Sequence, residues 1–201
     1  QQEYLVELGD AAVAERLAQF VARGGVILAM GQLGMFDAHA NFLPVAGPEP
    51  LQDLFGFTME DGVCLRTSKA QIEIRSDRDA GLPCSGALVG RRLSGVARQW
   101  AADVTLQGGD ALMRFDDSCL RGQPAVVEHR TGGGRTLYLA ANEADPALLA
   151  ALVDAALTAA GVAPGPEAPK TVEVVERGPL TIVVNHGPQP AAVTIRRPGQ
   201  T

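Results

Sequence analysis

Asp37 and His39, an acid beside a base, stand just beyond the apolar run Val26-Ile27-Leu28-Ala29-Met30. Open α/β sheets place their sites at the carboxyl ends of parallel strands, so this pair could serve general acid–base chemistry there. A hydrolase built on it would also need a nucleophile or a second carboxylate, and neither accompanies it. His39 is therefore read first as a loop or subunit-contact residue. The remaining carboxylates that could cooperate are the close pairs Glu60-Asp61, Asp77/Asp79 and Asp116-Asp117. Adjacent residues on a strand point to opposite faces, so such pairs do not converge on one substrate. A glycosidase needs two carboxyls roughly 5–10 Å apart across a sugar, and no spacing here argues for that.

Cys64, Cys84 and Cys119 are odd in number and lack Cys-x-x-Cys spacing, which argues against a disulfide framework and against a zinc site. They are read as reduced thiols. No histidine lies close to them in sequence, and no Gly-x-Ser-x-Gly elbow occurs. His129 and His186 fall in a predicted hairpin and a predicted turn. Gly132-Gly133-Gly134 precedes a strand pattern and not a helix start, so it reads as a turn in preference to a phosphate cradle. Gly31-Gln32-Leu33-Gly34 lacks the full dinucleotide fingerprint. Trp100 is left open between core, interface and sugar platform. No catalytic, cofactor-binding or metal-ligating residue is assigned, and no cofactor is expected.

The elements that would position these residues can be read in chain order. Tyr4 to Leu8 could end a strand. Asp10 is placed to cap a helix whose apolar positions are Val13, Leu17, Phe20 and Val21, stopping at Gly24. Val26 to Met30 has no polar alternation, which predicts a strand buried on both faces of a parallel sheet. A long Gly- and Pro-rich connection follows over residues 31–50, of the kind that is functional or interfacial, then a short helix from Pro50 to Phe55. Strands are predicted at Phe57–Leu65, Gln71–Arg75 and Asp110–Phe115, with apolar runs at Ala87–Gly90 and Val96–Leu106 and a polar loop at Ser76–Ser85. Pro124–Arg130 and Arg135–Ala140 form the clearest hairpin. A second helix opens on Asp145-Pro146 and ends at Gly161. The pattern predicts an α/β domain over 1–162 with a mostly parallel sheet and covering helices. A proline-rich linker then spans 163–169, and a small antiparallel β domain spans 170–201 with strands at Val172–Val175, Leu180–Asn185 and Ala192–Ile195.

The chain has 201 residues, a formal charge of −6 and 46% hydrophobic residues. That composition supports a packed core and offers no basic footprint for nucleic acid. Arg91-Arg92 and Arg196-Arg197 are pairs, not patches. No apolar run approaches the ~18 residues of a membrane span, and no signal peptide is recognisable, so neither a nucleic acid nor a membrane partner is expected and the location is expected to be cytoplasmic. The start at Gln1-Gln2-Glu3, without methionine, reads as a piece of a longer polypeptide.

The co-linear order of several weak motifs resembles the middle domain of glycoside hydrolase family 42 β-galactosidases. They are Gly24-Gly25 ending a helix, the apolar strand, Gly34-Met35-Phe36-Asp37, Gly47-Pro48-Glu49-Pro50-Leu51 through Phe55-Gly56, and Glu60-Asp61. Trp100-Ala101 with Asp103, Gly122 to Val126, Gly132 to Tyr138, the Leu148–Gly161 helix and Asn185-His186 follow in the family's order. The chain reads Gly-Pro-Glu-Pro where that family tends toward Pro-Gly-Pro. The resemblance implies a trimerisation domain of flavodoxin-like or class I glutamine-amidotransferase-like fold, a small C-terminal β domain, and a homo-oligomer, with a trimer suspected. It implies that the catalytic glutamates, and any zinc-binding cysteines, lie in a (β/α)₈ barrel elsewhere in the parent chain. The expected role is thus non-catalytic assembly of an enzyme acting on terminal β-galactosides. The alternative is a free-standing α/β domain binding a small ligand or sugar, and an unrecognised hydrolase using Asp37 and His39 stands last.

Overall fold

A computed structural model describes residues 11–35, 51–64, 81–163, 165–166 and 168–195, excluding the side chains of Ala11 and Cys64. The chain divides into two compact units, Gln1–Gly161 and Val162–Thr201. Tyr4–Leu8 and Gln71–Arg75 lie outside the described residues.

In the first unit α1 runs from Ala11 to Ala22. It buries Ala14 and Val21 and leaves Glu15, Arg16 and Gln19 exposed, as its periodicity dictates, but Phe20, expected on the apolar stripe, is exposed as well. It stops at Gly24, whose φ of 102° suits only glycine. There the Gly24 N–H reaches Val21 O at 2.9 Å and the Gly25 N–H reaches Phe20 O at 3.0 Å. β1 (Val26–Met30) follows directly. The short α2 (Gln52–Phe55) ends on Gly56 in the left-handed conformation. Then come β2 (Phe57–Cys64), β3 (Leu82–Leu88), β4 (Arg91–Leu106), β5 (Asp110–Phe115), β6 (Pro124–Thr131), β7 (Gly134–Leu139), β8 (Ala141–Ala144) and α3 (Pro146–Ala159).

The expected mostly parallel, helix-covered sheet of flavodoxin-like or amidotransferase-like type is not what forms. Among the described residues β1 pairs with β7 in parallel, Val26 opposite Arg135 through Met30 opposite Leu139. All other ladders of this unit are antiparallel. The strand order is β1-β7-β6-β5-β3-β4-β2, with β8 on β4. Since only Ala140 separates β7 from β8, the path from β7 through β6, β5, β3 and β4 comes back to β8, and the mixed sheet is nearly closed into a barrel. The physical reason lies in the connections. A parallel crossover takes about a dozen residues or more, whereas β3–β4, β4–β5 and β6–β7 are joined only by Val89-Gly90, Gln107-Gly108-Gly109 and Gly132-Gly133.

Two further expectations change in detail. The polar look of Ser76–Ser85 hides the start of β3, where Leu82, Cys84 and Leu88 are buried and Pro83 and Ala87 are exposed. β1 is half-buried, not enclosed, and Met30 is exposed. The 16-residue β4 serves several neighbours because it is irregular. Gln99 has a φ of 67°, and the register with β8 shifts between Arg98 and Ala101. The bulge re-aims the strand so that its first half pairs with β3 and its second half with β2.

The core of the unit centres on aromatic contacts. The rings of Phe57 and Tyr138 stack at 4.4 Å, and Phe55 meets both edge-on at 6.1 and 6.5 Å. The fully buried Tyr138 hydroxyl donates to Gly31 O at 2.6 Å, so its one polar atom is satisfied. This contact ties β7 to the end of β1.

The second unit contains the antiparallel pair β9 (Val172–Arg177) and β10 (Leu180–Asn185), turned at Gly178 with φ 57°. Residues 191–195 carry no regular structure, so the expected third strand at Ala192–Ile195 does not form. Leu180, Ile182, Val183 and Val184 are exposed.

Candidate functional site

Most of the described residues that could do chemistry hold an element in place; Cys119 and Asp103 are exceptions. Asp37, His39, Asp77 and Asp79 lie outside the described residues. In the loop after β5, Asp116 accepts from Ser85 Oγ at 2.7 Å and Asp117 accepts from the Ser118 N–H at 2.7 Å. The Arg121 Nε donates to Asp116 O at 3.0 Å. This pair therefore closes a turn. At the other end of the sheet Asp61 accepts from the Gly62 N–H at 2.6 Å, and Thr58 Oγ1 donates to Glu60 at 3.1 Å.

One convergence was hidden from sequence reasoning. Register places Asp61 directly opposite Asp103 at an irregularity between β2 and β4, which puts both carboxylates on one face. Asp103 Oδ1 is buried without a hydrogen-bond partner. Only strand pairing could reveal this meeting of residues 42 apart. The depressions lined by Ser85, Gly86, Met113 and Arg114 and by Ser85, Arg92 and Ser94 lie elsewhere, the first along β3 and β5 and the second along β3 and β4. Among the described residues no group of three or more His, Cys, Asp or Glu side chains could hold a metal.

Cys84 is buried and donates to Gly95 O at 3.6 Å. Burial above all, then the charges of Asp116 and Asp145, pushes its thiol up to about 11 against the small opposing effect of that bond. It stays a neutral thiol at pH 7, which is the reverse of an activated nucleophile. Cys119 is a free, exposed thiol. His129 Nδ1 lies 3.1 Å from Leu54 O, where Thr136 Oγ1 also donates at 3.2 Å, so the hairpin anchors α2. His186 pairs with Glu173 at 3.1 Å in the second unit. Trp100 is buried across Gly62 and thus belongs to the core. The Gly132–Gly134 turn packs on the end of α1, with the Gly133 N–H donating to Ala22 O at 3.1 Å; it holds no phosphate-binding helix start. Gly31 and Gly34 both take left-handed conformations, with φ 72° and 66°.

Glu128, which sequence reasoning treated only as part of a strand, is 8% exposed and bonds Arg135 at 2.8 Å and Arg130 at 3.0 Å. A buried carboxylate held by two guanidiniums is locked, and it fixes the β6–β7 hairpin without offering a free base. No helix among the described residues is long and apolar enough to cross a membrane.

Comparison with known proteins supplies what the side chains do not. The family model described as β-galactosidase trimerisation domain matches residues 5–163. β-Galactosidase LacZ of Heyndrickxia coagulans is 27% identical over 82% of this chain and 22% of its own length. β-Galactosidase Bga of Halorubrum lacusprofundi is 30% identical over 86% of this chain and 24% of its own. The solved structure of the polyextremophilic β-galactosidase from the Antarctic haloarchaeon Halorubrum lacusprofundi superposes with a TM-score of 0.69 at 26% identity, covering 88% of this chain and 24% of that one. The β-galactosidase from Bacillus circulans sp. alkalophilus shares the fold, with a TM-score of 0.67 at 21% identity over 82% of this chain and 23% of that one. The chain thus spans about a quarter of the length of the relatives it matches.

Proposed function

The chain belongs to the β-galactosidase trimerisation domain family, and from that premise we propose that it is the non-catalytic region that assembles a β-galactosidase into a trimer. The observation that carries this reading is the family match over residues 5–163. It is supported by what several side chains do: Asp116 and Asp117 close a turn, His129 anchors α2 and Cys84 stays a buried, neutral thiol. On this reading residues 1–162 form the assembling domain, 163–169 the linker and 170–201 a β appendage. The partners are two further copies and the catalytic barrel of the parent polypeptide, which hydrolyses terminal β-D-galactosides. A reducing, cytoplasmic setting suits the free thiols of Cys84 and Cys119.

Sedimentation velocity on the purified chain is expected to give the mass of a trimer, and nitrophenyl β-galactoside assays are expected to give no turnover. A monomer at every concentration would overturn the assembly role. Turnover abolished by a substitution within the chain would overturn the non-catalytic one.

A further inference from the structure

The two long helices of the first unit differ in what they show to water. α1 is amphipathic: Glu15, Arg16 and Gln19 line its outward face, where Phe20 is a single exposed large apolar side chain. α3 is apolar nearly all round: in PALLAALVDAALTA Asp154 is the lone charge. Its inner stripe, Leu148, Leu152 and Ala155, is buried, and the helix packs on β1, β3, β4 and β7. Yet Ala150 and Val153 are exposed, and Leu157 beside them is partly buried. These three fall at i, i+3 and i+7, so they form a second, outward stripe of one helix face. Val153 alone leaves 46% of its surface in water.

Resting on the trimer reading above, we infer that the outward Ala150–Val153–Leu157 stripe of α3 is the surface that meets a second copy of this chain. A helix that is apolar on both faces is the pattern of one covered on both faces. A convex helix face of small and aliphatic side chains does not suit a small ligand, which needs concavity and a few convergent polar groups. It does suit close approach of another protein surface, with Asp154 and Thr158 at its polar rim. The family to which this chain belongs is described by its trimerisation, so the occupant in view is another copy. A closed three-fold uses heterologous contacts. The stripe must therefore face a different surface of the next copy and not its own counterpart. Stable interfaces bury about 800 Å² per partner, so the stripe is the centre of a larger contact.

Sedimentation velocity of the 201-residue chain tests this with Val153→Glu and, independently, Ala150→Glu, both at exposed positions. Gln19→Glu on the polar face of α1 is the control. The wild type and the control are expected to sediment as trimers. Each α3 variant is expected to sediment as a monomer where the wild type is fully assembled, with unchanged far-ultraviolet circular dichroism. If one α3 variant fails to fold, the other decides. A folded α3 variant that stays trimeric overturns the assignment of the stripe and leaves the trimer reading standing. A wild-type chain that is monomeric at every concentration overturns both.

Discussion

Asp145 accepts hydrogen bonds from three backbone donors: Oδ1 from the N–H groups of Ala147 and Leu148, each at 3.0 Å, and Oδ2 from Val96 at 2.6 Å. The first two cap α3. The third pins that helix start to β4. Partial burial opposes the charge, but the bonds from Leu148, Val96 and Ala147, together with the Arg98 charge, outweigh it and hold the carboxyl below its ordinary range. A group whose folded pKa is depressed stabilises the fold above its unfolded value, about 3.9 for Asp, and that stabilisation is lost as pH falls through the folded value. Asp145→Ala is therefore expected to lower unfolding free energy at pH 7 by about 1–2 kcal/mol, with the gap to wild type narrowing below about pH 4. Urea titrations at pH 7 and pH 3 measure it, and a gap that does not shrink with acid would contradict the carboxylate as its source. The cap was legible from Asp145-Pro146 alone. The bond to Val96 was not, because it joins residues 49 apart in the chain, and the same limit hid the meeting of Asp61 and Asp103.

At the scale of elements, the boundaries of β5, of the β6–β7 hairpin and of α3 could be read from alternation, turn glycines and capping residues. β3, β8 and the antiparallel closure could not. The apolar run of β1 suggested parallel burial and was extended to the whole sheet, while the short links at Val89-Gly90 and Gln107–Gly109 carried the opposing signal. Gly86 shows what the closure demands. A Cβ there would run into the backbone of Leu112 and Met113 on β5, across a ladder that β3 and β5 share only from Cys84 to Gly86. Gly90, by contrast, has open space around it and only a φ of 73° to strain a side chain. Gly86→Ala is expected to cost about 1–3 kcal/mol by overpacking, whereas Gly90→Ala should cost about 1–2 kcal/mol through its left-handed backbone alone. Hydrogen exchange separates the two mechanisms: Gly86→Ala should lose protection at Asp116, whose N–H donates to Pro83 O of β3 at 2.9 Å, and Gly90→Ala should not. Equal protection in both variants would mean that β3 and β5 do not depend on that close approach.

For the whole molecule, the resemblance read from motif order supplied the family, and the side chains alone could not, because an assembling surface needs no reactive group. The order of motifs carried the family while misleading about its sheet, since motif order records ancestry and the short connections record topology. The two units also differ in how they are held. Among the described residues, the core cluster of the first unit is built from residues between Val13 and Ala156. In the second unit β9 and β10 make a two-stranded ladder, every residue of β10 is exposed, and Val172 is the buried apolar residue among those described. Isolated two-stranded hairpins are marginal in water, and so few residues bury too little surface to fold on their own. Ending the chain after Gly161 is therefore expected to preserve the folded first unit. Its unfolding midpoint should stay within about 2 °C of the full chain, and the buried environment of Trp100 should give the same fluorescence maximum. The peptide 162–201 alone is expected to show the circular dichroism of an unfolded chain. A truncated first unit that melts without cooperativity would mean that its core is completed by the second unit. A cooperative melt from the isolated peptide would mean that the hairpin carries a core of its own.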